Sequence, residues 1–346
     1  MVDTRLIQQL QIQNFLSYGS QGETIDLRPL NVIIGINASG KSNLMETIAF
    51  LRALPQDLSI PIREGGGVRE WLWKGDQRVR QSVPTAHIKA VVAYPDGIMP
   101  LRYRIQFTMS GQRLEIVDEA IENEHPIHQE QDVYFFYRYQ DGNPTLNVRT
   151  ALEAKAGEIR GRSRRSLRHE DLKLDQSVLS QRKDPDQYPE LTYLANQFSE
   201  MKLYREWNLG RYTPPRLPQQ PDLPEDFLLE DASNLGVVLN NLQSRIGTKR
   251  LVTHLKKFYS PIEEIIPKIS GGTVQLFIRE EGLLDPIPAT RLSDGTLRYL
   301  CLLTILCHPT PPPLICIEEP ELGAHPDVLP AIAELLIEAS QRTQLI

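Results

Sequence analysis

A glycine-rich segment lies between a predicted strand and a predicted helix, and it reads Gly35-Ile36-Asn37-Ala38-Ser39-Gly40-Lys41-Ser42. The apolar run Asn31–Ile34 precedes this segment, and apolar residues at helical spacing follow it. The spacing G-x-x-x-x-G-K-S is typical of a phosphate-binding loop, in which the glycines let backbone amides converge on one phosphate. A helix that begins at the loop adds the positive end of its dipole. The alternative, a glycine-rich turn without a ligand, is disfavoured by this strand-to-helix setting.

Two side chains of the loop have the chemistry that a nucleotide needs. The Lys41 ammonium can reach phosphate oxygens, and the Ser42 hydroxyl can bind the Mg²⁺ that bridges them. We therefore predict that ATP is the ligand and that Lys41 also serves catalysis. The residues predicted to bind the nucleotide here are Gly35, Ile36, Asn37, Ala38, Ser39, Gly40, Lys41, Ser42 and Asn43.

Two later segments add related chemistry. The residues Leu292-Ser293-Asp294-Gly295-Thr296 lead into an apolar helix, and the apolar run Leu314–Ile317 ends in Glu318-Glu319-Pro320-Glu321. A fully apolar strand is typical of a parallel sheet covered on both faces, and ligands collect at the carboxyl ends of such strands. We therefore expect Glu318 and Glu319 beside the phosphates. Taken alone, the first segment is equally an ordinary helix cap and the second a solvated strand end.

These motifs together carry a family resemblance. GINASGKSN (residues 35–43), LSDGT and ICIEEPELGAHP (residues 315–326) resemble the ABC-type ATPases of the SMC/RecF/OLD branch, in particular short bacterial AAA-family members without a coiled coil. The opening LQIQNFLSYG is similar to the first strand of that family. The resemblance implies an α/β fold, a P-loop NTPase with ABC-ATPase head architecture. It has a central mixed or parallel sheet, an antiparallel β lobe and a helical insertion.

The resemblance also implies roles for single residues. Two chains would pack head to tail as a homodimer around two ATP molecules, with Ser293 and Gly295 of one chain completing the loop of the other. Ser42 and Glu318 would hold Mg²⁺, and Glu319 would orient and deprotonate the attacking water. The family more often has Asp at the position of Glu318, which is one methylene longer.

Three features of the resemblance are less defined in this sequence. The family senses the γ-phosphate through a glutamine, for which Gln77 and Gln81 are both candidates. A switch histidine follows the last core strand in the family, whereas the sequence stops at Ile346 inside the corresponding strand. We therefore expect a fragment that binds ATP and hydrolyses it slowly. His325 lies where the family's interface loop runs, and is equally an ordinary turn histidine.

The sequence divides into four predicted parts. Residues 1–60 carry the phosphate loop, and residues 61–150 alternate as an antiparallel β lobe. Residues 151–230 form an irregular or helical insertion, and residues 231–346 carry the two later motifs. Five arginines between positions 160 and 168 of the insertion can grip nucleic-acid phosphates or form an ordinary solvated loop.

Composition restricts the partners. The chain has 346 residues with 38 basic and 44 acidic side chains, a net charge of −6, which argues against non-specific coating of nucleic acid. No signal peptide or membrane-spanning run is present, so we expect a cytoplasmic protein without a membrane partner. Besides a second copy of itself, the partner is either DNA, as in a repair clamp, or a protein effector in a defence or toxin system.

Overall fold

The computed structural model describes residues 3–75, 84–127, 132–140, 142–148, 163–166 and 172–346. The chain divides into two compact units. The first is Arg5–Met201, and the second joins Met1–Thr4 to Lys202–Ile346. None of the helices in the described part of the chain has the length and apolar content that a bilayer crossing requires.

The first unit is built on one large sheet with helices on its apolar face. Its described elements are β1 (Ile7–Gln13), β2 (Glu23–Asp26), α1 (Lys41–Ala53), α2 (Ser59–Glu64), α3 (Val68–Trp71), β3 (Ala86–Val92), β4 (Leu101–Ser110), β5 (Arg113–Asn123), β6 (Phe135–Gln140), β7 (Asn143–Val148), β8 (Ser163–Ser166), α4 (Val178–Gln181) and α5 (Pro189–Glu200). The eight strands pair antiparallel in the order β2-β1-β3-β4-β5-β6-β7-β8.

The antiparallel β lobe predicted from period-two alternation is confirmed. In β4, Tyr103, Ile105 and Phe107 are fully buried, while the side chains between them are partly exposed. The buried face packs against α1, where the rings of Phe50 and Phe107 stack with centroids 5.0 Å apart. Alternation therefore produces one apolar face under the helices and one polar face.

The strand predicted over Asn31–Ile34 is wrong. Residues 31–36 have no regular secondary structure, and Val32, Ile34 and Ile36 are 73%, 87% and 83% exposed. A short apolar run becomes a strand only where a neighbouring strand accepts its backbone hydrogen bonds. Among the described residues of the first unit, no strand pairs with this run. Its apolar pattern therefore does not produce a strand.

The described residues of the second unit form two three-stranded sheets and four α-helices. Its elements are β9 (Lys202–Tyr204), α6 (Leu235–Ile246), α7 (Thr248–Phe258), β10 (Ile262–Ser270), β11 (Thr273–Glu280), β12 (Ile287–Pro288), α8 (Asp294–Leu306), β13 (Leu314–Ile317), α9 (Leu329–Ala339) and β14 (Gln344–Leu345). The order is β10-β11-β12 in the antiparallel sheet and β14-β13-β9 in the parallel one.

The parallel sheet confirms that the apolar run before the acidic motif is a buried strand. Leu314, Ile315 and Cys316 of β13 are fully buried, as expected of a central strand in a parallel sheet. Its neighbour β9 lies in the stretch predicted as an irregular insertion. The sequence did not reveal this strand, because three residues are too few for a periodic pattern. The boundaries at residues 60, 150 and 230 stay predictions.

Candidate functional site

The phosphate loop is an exposed turn that ends at the start of α1. Residues 35–39 are exposed, and the Ser39 amide donates to the Ile36 carbonyl at 3.2 Å. Ala38 and Gly40 have φ angles of 66° and 90°, in the left-handed region. Glycine enters that region without the steric cost that a Cβ brings, so Gly40 suits the last turn before the helix.

Glycine at position 35 is required by a close approach. A Cβ on Gly35 would lie 2.6 Å from the Ser39 hydroxyl oxygen, well inside van der Waals contact. On the other side of the loop, the hydroxyl of Ser17 lies 3.0 Å from the place where a Cβ of Gly40 would sit. The backbone is therefore packed tightly enough that side chains at these two positions would alter the loop.

The Lys41 side chain curls over the loop. Its Nζ donates to the carbonyl oxygens of Gly35 at 2.7 Å and Ile36 at 3.0 Å. These contacts hold the ammonium above the exposed backbone turn. An anion bound there would meet a compact charge whose stem is already folded toward it.

The first turn of α1 is suited to an anion. Gly40, the N-cap residue, has no side chain to cap the helix amides, and the first turn has no acidic residue. Because the backbone amides of a first helical turn and the helix dipole favour negative charge, the 13-residue helix supports phosphate binding at this end. The side-chain amide (Nδ2) of Asn43 donates to the Ser17 hydroxyl at 2.7 Å, which connects α1 to the β1–β2 segment.

The second motif, LSDGT, forms the start of α8. Ser293 is the N-cap residue, and its exposed hydroxyl accepts from the Thr296 amide at 3.1 Å. Gly295 lies against the loop that follows β13, and a Cβ there would come within 2.8 Å of the Gly323 carbonyl oxygen. The motif is thus a capped helix start whose Ser293 faces outward.

A buried arginine supports this helix start from behind. Arg216 is 6% exposed and donates to the carbonyl oxygens of Leu209, Ala289 and Leu292, and to the exposed carboxylate of Asp294. A planar guanidinium with several fixed donors suits such a junction, because one side chain satisfies several carbonyls at once. The backbone before α8 is therefore fixed by a residue from the predicted insertion.

The acidic motif begins directly after β13. The Glu318 amide donates to the Tyr204 carbonyl at 2.9 Å, which extends the parallel pairing by one residue. Its partly exposed carboxylate lies 3.6 Å from the Arg205 guanidinium. Glu318 therefore stands at the carboxyl end of a buried strand, where the sequence analysis expected it.

Glu319 occupies a turn that two other side chains hold. It is exposed and has φ 48°, an uncommon conformation for a residue with a side chain. Arg298 donates to the Glu319 carbonyl at 3.2 Å, and the Trp207 indole donates to the Glu318 carbonyl at 3.2 Å. Partial burial lowers the pKa of Arg298, whose guanidinium also lies over the Trp207 ring. Both carbonyls are thus fixed while the Glu319 carboxylate reaches solvent.

Other predicted residues do not contribute to this site in the described part of the chain. Gln77 and Gln81, the candidate γ-phosphate sensors, are outside the described residues, as are three of the five clustered arginines. His325 caps the turn before α9, because its Nδ1 accepts from the Asp327 amide at 3.3 Å. That geometry agrees with an ordinary turn histidine.

The donor set suits Mg-ATP. The loop supplies an ammonium, the amides of the first helical turn and a hydroxyl, which match phosphate oxygens and Mg²⁺. Among the described residues, no three His, Cys, Asp or Glu side chains cluster as ligands of a metal ion. Mg²⁺ in nucleotide sites usually binds one or two protein ligands together with phosphate oxygens.

Three supporting residues escaped the sequence analysis. Arg216 and Trp207 lie in aperiodic, proline-rich or polar sequence, where no spacing distinguishes a buried side chain from an exposed one. Ser17, within NFLSYG, was visible as part of the resemblance but gave no hint of its contacts with the loop. The roles of the first two become clear only in the structure, where Trp207 contacts the turn after β13 and Arg216 contacts the backbone before α8.

The fold is similar to that of solved SMC heads. The SMC head bound to the C-terminal winged-helix domain of ScpA has a TM-score of 0.58 and 13% identity, over 99% of this chain and 88% of that one. An Smc head domain with an extended coiled coil from Pyrococcus furiosus, bound to the C-terminal domain of ScpA, has a TM-score of 0.53 and 11% identity, with the same coverage. No curated protein matches the sequence closely enough to count as a relative.

Fold and loop together are those of a P-loop ATPase whose fold is that of an SMC head. The family model described as "AAA domain, putative AbiEii toxin, Type IV TA system" matches residues 30–346. The chain therefore belongs to this family of AAA domains. Membership supports ATP binding and hydrolysis, with Mg²⁺ as the usual companion of the nucleotide.

Proposed function

We propose that the chain is an ATP-driven dimerisation switch that binds and hydrolyses Mg-ATP. Residues 35–43 bind the phosphates of the nucleotide, and Ser42 with Glu318 holds Mg²⁺. Lys41 neutralises charge on the transferring phosphoryl group, and Glu319 orients and deprotonates water. Magnesium supplies charge neutralisation of the phosphate oxygens when it is bound.

The observation that carries this proposal is the geometry around Lys41. The ammonium is held over an exposed turn whose glycines leave no room for side chains, at the uncapped start of a long helix. A turn without a ligand has no need of all three features. Together they favour an anion with several phosphate groups.

The role of Glu319 rests on its support. Its backbone is held in a left-handed turn by Arg298, and its carboxylate is exposed and close to a buried strand end. A general base must be fixed in position and yet open to water. Glu319 meets both conditions, whereas the neighbouring Glu318 carboxylate lies beside Arg205.

We further propose that ATP joins two chains head to tail. Ser293 is exposed at the start of a 13-residue helix, where a partner's phosphates can approach it. Phosphate negative charge would then be neutralised from both chains. Each nucleotide would contact both chains and stabilise the dimer, and hydrolysis would reverse the association.

A substitution at Ser293 tests this arrangement. Ser293→Arg places a bulky side chain in the proposed interface, so ATP should no longer produce a dimer in analytical ultracentrifugation. ATP affinity of the monomer should stay unchanged, because the phosphate loop is untouched. Ser270→Arg, at an exposed turn of the β10–β11 hairpin, is the matched control and should dimerise normally. Normal dimerisation of Ser293→Arg contradicts the shared site.

The partner of the switch is the second part of the proposal. The description of the matched family favours a protein effector in a toxin–antitoxin system, with ATP presenting the effector-binding surface. The alternative is a switch that acts on DNA, as in repair. Duplex DNA added to the ATPase assay separates them, because stimulation of the rate indicates DNA and indifference indicates the effector.

A further inference from the structure

Arg205 is a cation at the acidic end of the parallel sheet, and the proposed hydrolysis gives it no role. Strand β9 ends at Tyr204, which lies opposite Ile317, the last residue of β13. Arg205 and Glu318 are therefore the first residues beyond two neighbouring parallel strands, at the edge of a sheet where ligands collect. All of these residues belong to the second unit.

The backbone of Glu318 is fixed on both sides. Its amide donates to the Tyr204 carbonyl at 2.9 Å, and its carbonyl accepts from the Trp207 indole at 3.2 Å. The Trp207 ring in turn stacks on Tyr204, with centroids 5.7 Å apart. A change of partner at Glu318 can therefore be confined to its side chain, because both of its backbone polar groups keep their hydrogen bonds.

The contact between the side chains of Arg205 and Glu318 is looser. The Nε atom of Arg205 lies 3.6 Å from a carboxylate oxygen of Glu318, and the side chains are 27% and 33% exposed. Charge-assisted hydrogen bonds between such groups are about 2.7–2.9 Å long, so this contact is an ion pair without hydrogen-bond geometry. Partly exposed ion pairs contribute little to folding stability. The pair neutralises Glu318 and can be exchanged for a stronger cation.

A second arginine near this turn is bonded differently. Arg298 donates to the Glu319 carbonyl at 3.2 Å and lies over the Trp207 ring, 5.4 Å from its centroid. Its guanidinium therefore supports the backbone, whereas Arg205 contacts a carboxylate that the proposed function assigns to Mg²⁺. The turn carries carboxylates at positions 318, 319 and 321, so Arg205 balances negative charge that accumulates there while no metal ion is bound.

We propose that Arg205 is a positioning residue that serves as the cation at Glu318 until Mg-ATP binds, an inference that rests on the proposed role of Glu318 as a magnesium ligand. Glu318 then exchanges the guanidinium for Mg²⁺, which carries twice the charge and prefers oxygen ligands. Arg205 thus disfavours metal binding at Glu318 in the absence of nucleotide. Part of the affinity for Mg²⁺ is spent on displacing it.

The ratio of two affinities measures this exchange. Isothermal titration calorimetry with a non-hydrolysable ATP analogue gives one dissociation constant in excess EDTA and another in excess Mg²⁺, and the first divided by the second is the metal preference. In Arg205→Gln the metal preference should rise about two- to fivefold, because Mg²⁺ no longer displaces a cation and metal-free phosphates meet an unneutralised Glu318. A purely structural role would weaken both forms of the nucleotide equally and leave the ratio unchanged.

Three further variants separate charge from shape. Arg205→Lys keeps the cation and should keep the metal preference, and Arg211→Gln, which removes an exposed arginine of the same segment, is the matched control. In Glu318→Gln the metal preference should fall. Adding Arg205→Gln to Glu318→Gln should change it no further, because the residue through which Arg205 acts is absent. Thermal melts check that each variant is folded, as expected for two partly exposed side chains.

The outcomes distinguish this proposal from the ATPase proposal. An unchanged metal preference in Arg205→Gln, beside a lowered one in Glu318→Gln, rejects the exchange and leaves the role of Glu318 intact. A rise in Arg205→Gln that persists in the double variant also rejects the exchange, because Arg205 would then act independently of Glu318. An unchanged metal preference in Glu318→Gln rejects both proposals at this residue, since Glu318 would hold no magnesium.

Discussion

The phosphate loop and the turn after β13 are supported in opposite ways. The loop keeps its shape through residues within itself and nearby in the sequence, since Lys41 is held by loop carbonyls, Gly35 lies close to Ser39 and Ser17 contacts the end of the loop. The turn at Glu319 depends on side chains far away in the sequence, Trp207 and Arg298. The difference indicates that the proposed nucleotide-binding loop is held by local contacts, whereas the proposed hydrolytic residue Glu319 is positioned by the tertiary structure.

The largest expected effect separates these two roles. Glu319→Gln should retain ATP binding but lower the hydrolysis rate by roughly 10²–10⁴-fold, because the amide cannot accept the proton of the attacking water. Single-turnover assays measure the rate, and size-exclusion chromatography should show an ATP-bound dimer that persists. Glu321→Gln, two residues on and also exposed, is the control. A fall in ATP affinity equal to the fall in rate would place Glu319 in binding instead.

Lys41→Ala tests the locally encoded side of the comparison. Loss of the ammonium should cost about 2–4 kcal/mol of ATP binding free energy, because a phosphate charge loses its partner in a partly desolvated site. Isothermal titration calorimetry gives the affinity directly. Lys74→Ala, whose exposed ammonium pairs with Glu70 on α3, should bind ATP normally. Unchanged affinity of Lys41→Ala would exclude the loop as the nucleotide site.

Arg216→Ala addresses the turn region and should change stability. Three carbonyls near the start of α8 lose a donor, so the free energy of unfolding should fall by about 2–3 kcal/mol. Urea denaturation measures the change. Asp294→Asn removes only the ionic partner, which is 75% exposed, and should cost under about 1 kcal/mol. Equal losses in the two variants would mean that the ion pair, and not the carbonyl contacts, stabilises this region.

Gly295→Ala should have the smallest effect. The new methyl group would lie 2.8 Å from the Gly323 carbonyl oxygen, a clash of about 1–3 kcal/mol. Alanine recovers about 1 kcal/mol of helix propensity, so a net loss of about 1 kcal/mol is expected. Gly210→Ala, whose nearest neighbour would be 3.7 Å away, serves as the control. A gain in stability for Gly295→Ala would show that the turn at Gly323 can move away from the start of α8 without cost.

Local chemistry explains which parts of the structure were predictable. The loop from Gly35 to Ser42 is specified by its own glycines and lysine, and β13 by four apolar residues before two carboxylates. Both were visible in the sequence, as was the alternation in β4. Strand β9 and the buried Arg216 depend instead on partners more than 70 positions away, which leave no periodic trace.

The failed strand at Asn31–Ile34 illustrates the same limit from the other side. Its residues have strong strand propensity, but propensity measures how well a side chain fits a pleated and covered surface. In the first unit none of the described strands forms a ladder with Val32–Ile34, so these side chains gain no pleated and covered surface. Sequence patterns therefore predict what a segment can bury, and the neighbours decide whether it does.

That exposed run has a consequence for handling the protein. Residues 31–36 form an uncharged, exposed stretch without proline in which four of six residues, Val32, Ile33, Ile34 and Ile36, are β-prone, a composition that favours intermolecular β stacking. The cations of Arg28 and Lys41 flank it and act as gatekeepers by mutual repulsion between molecules. Salt shortens the reach of that repulsion to about 8 Å at physiological ionic strength. Dilute buffers should therefore keep solutions clear, while added salt promotes turbidity and fibre growth.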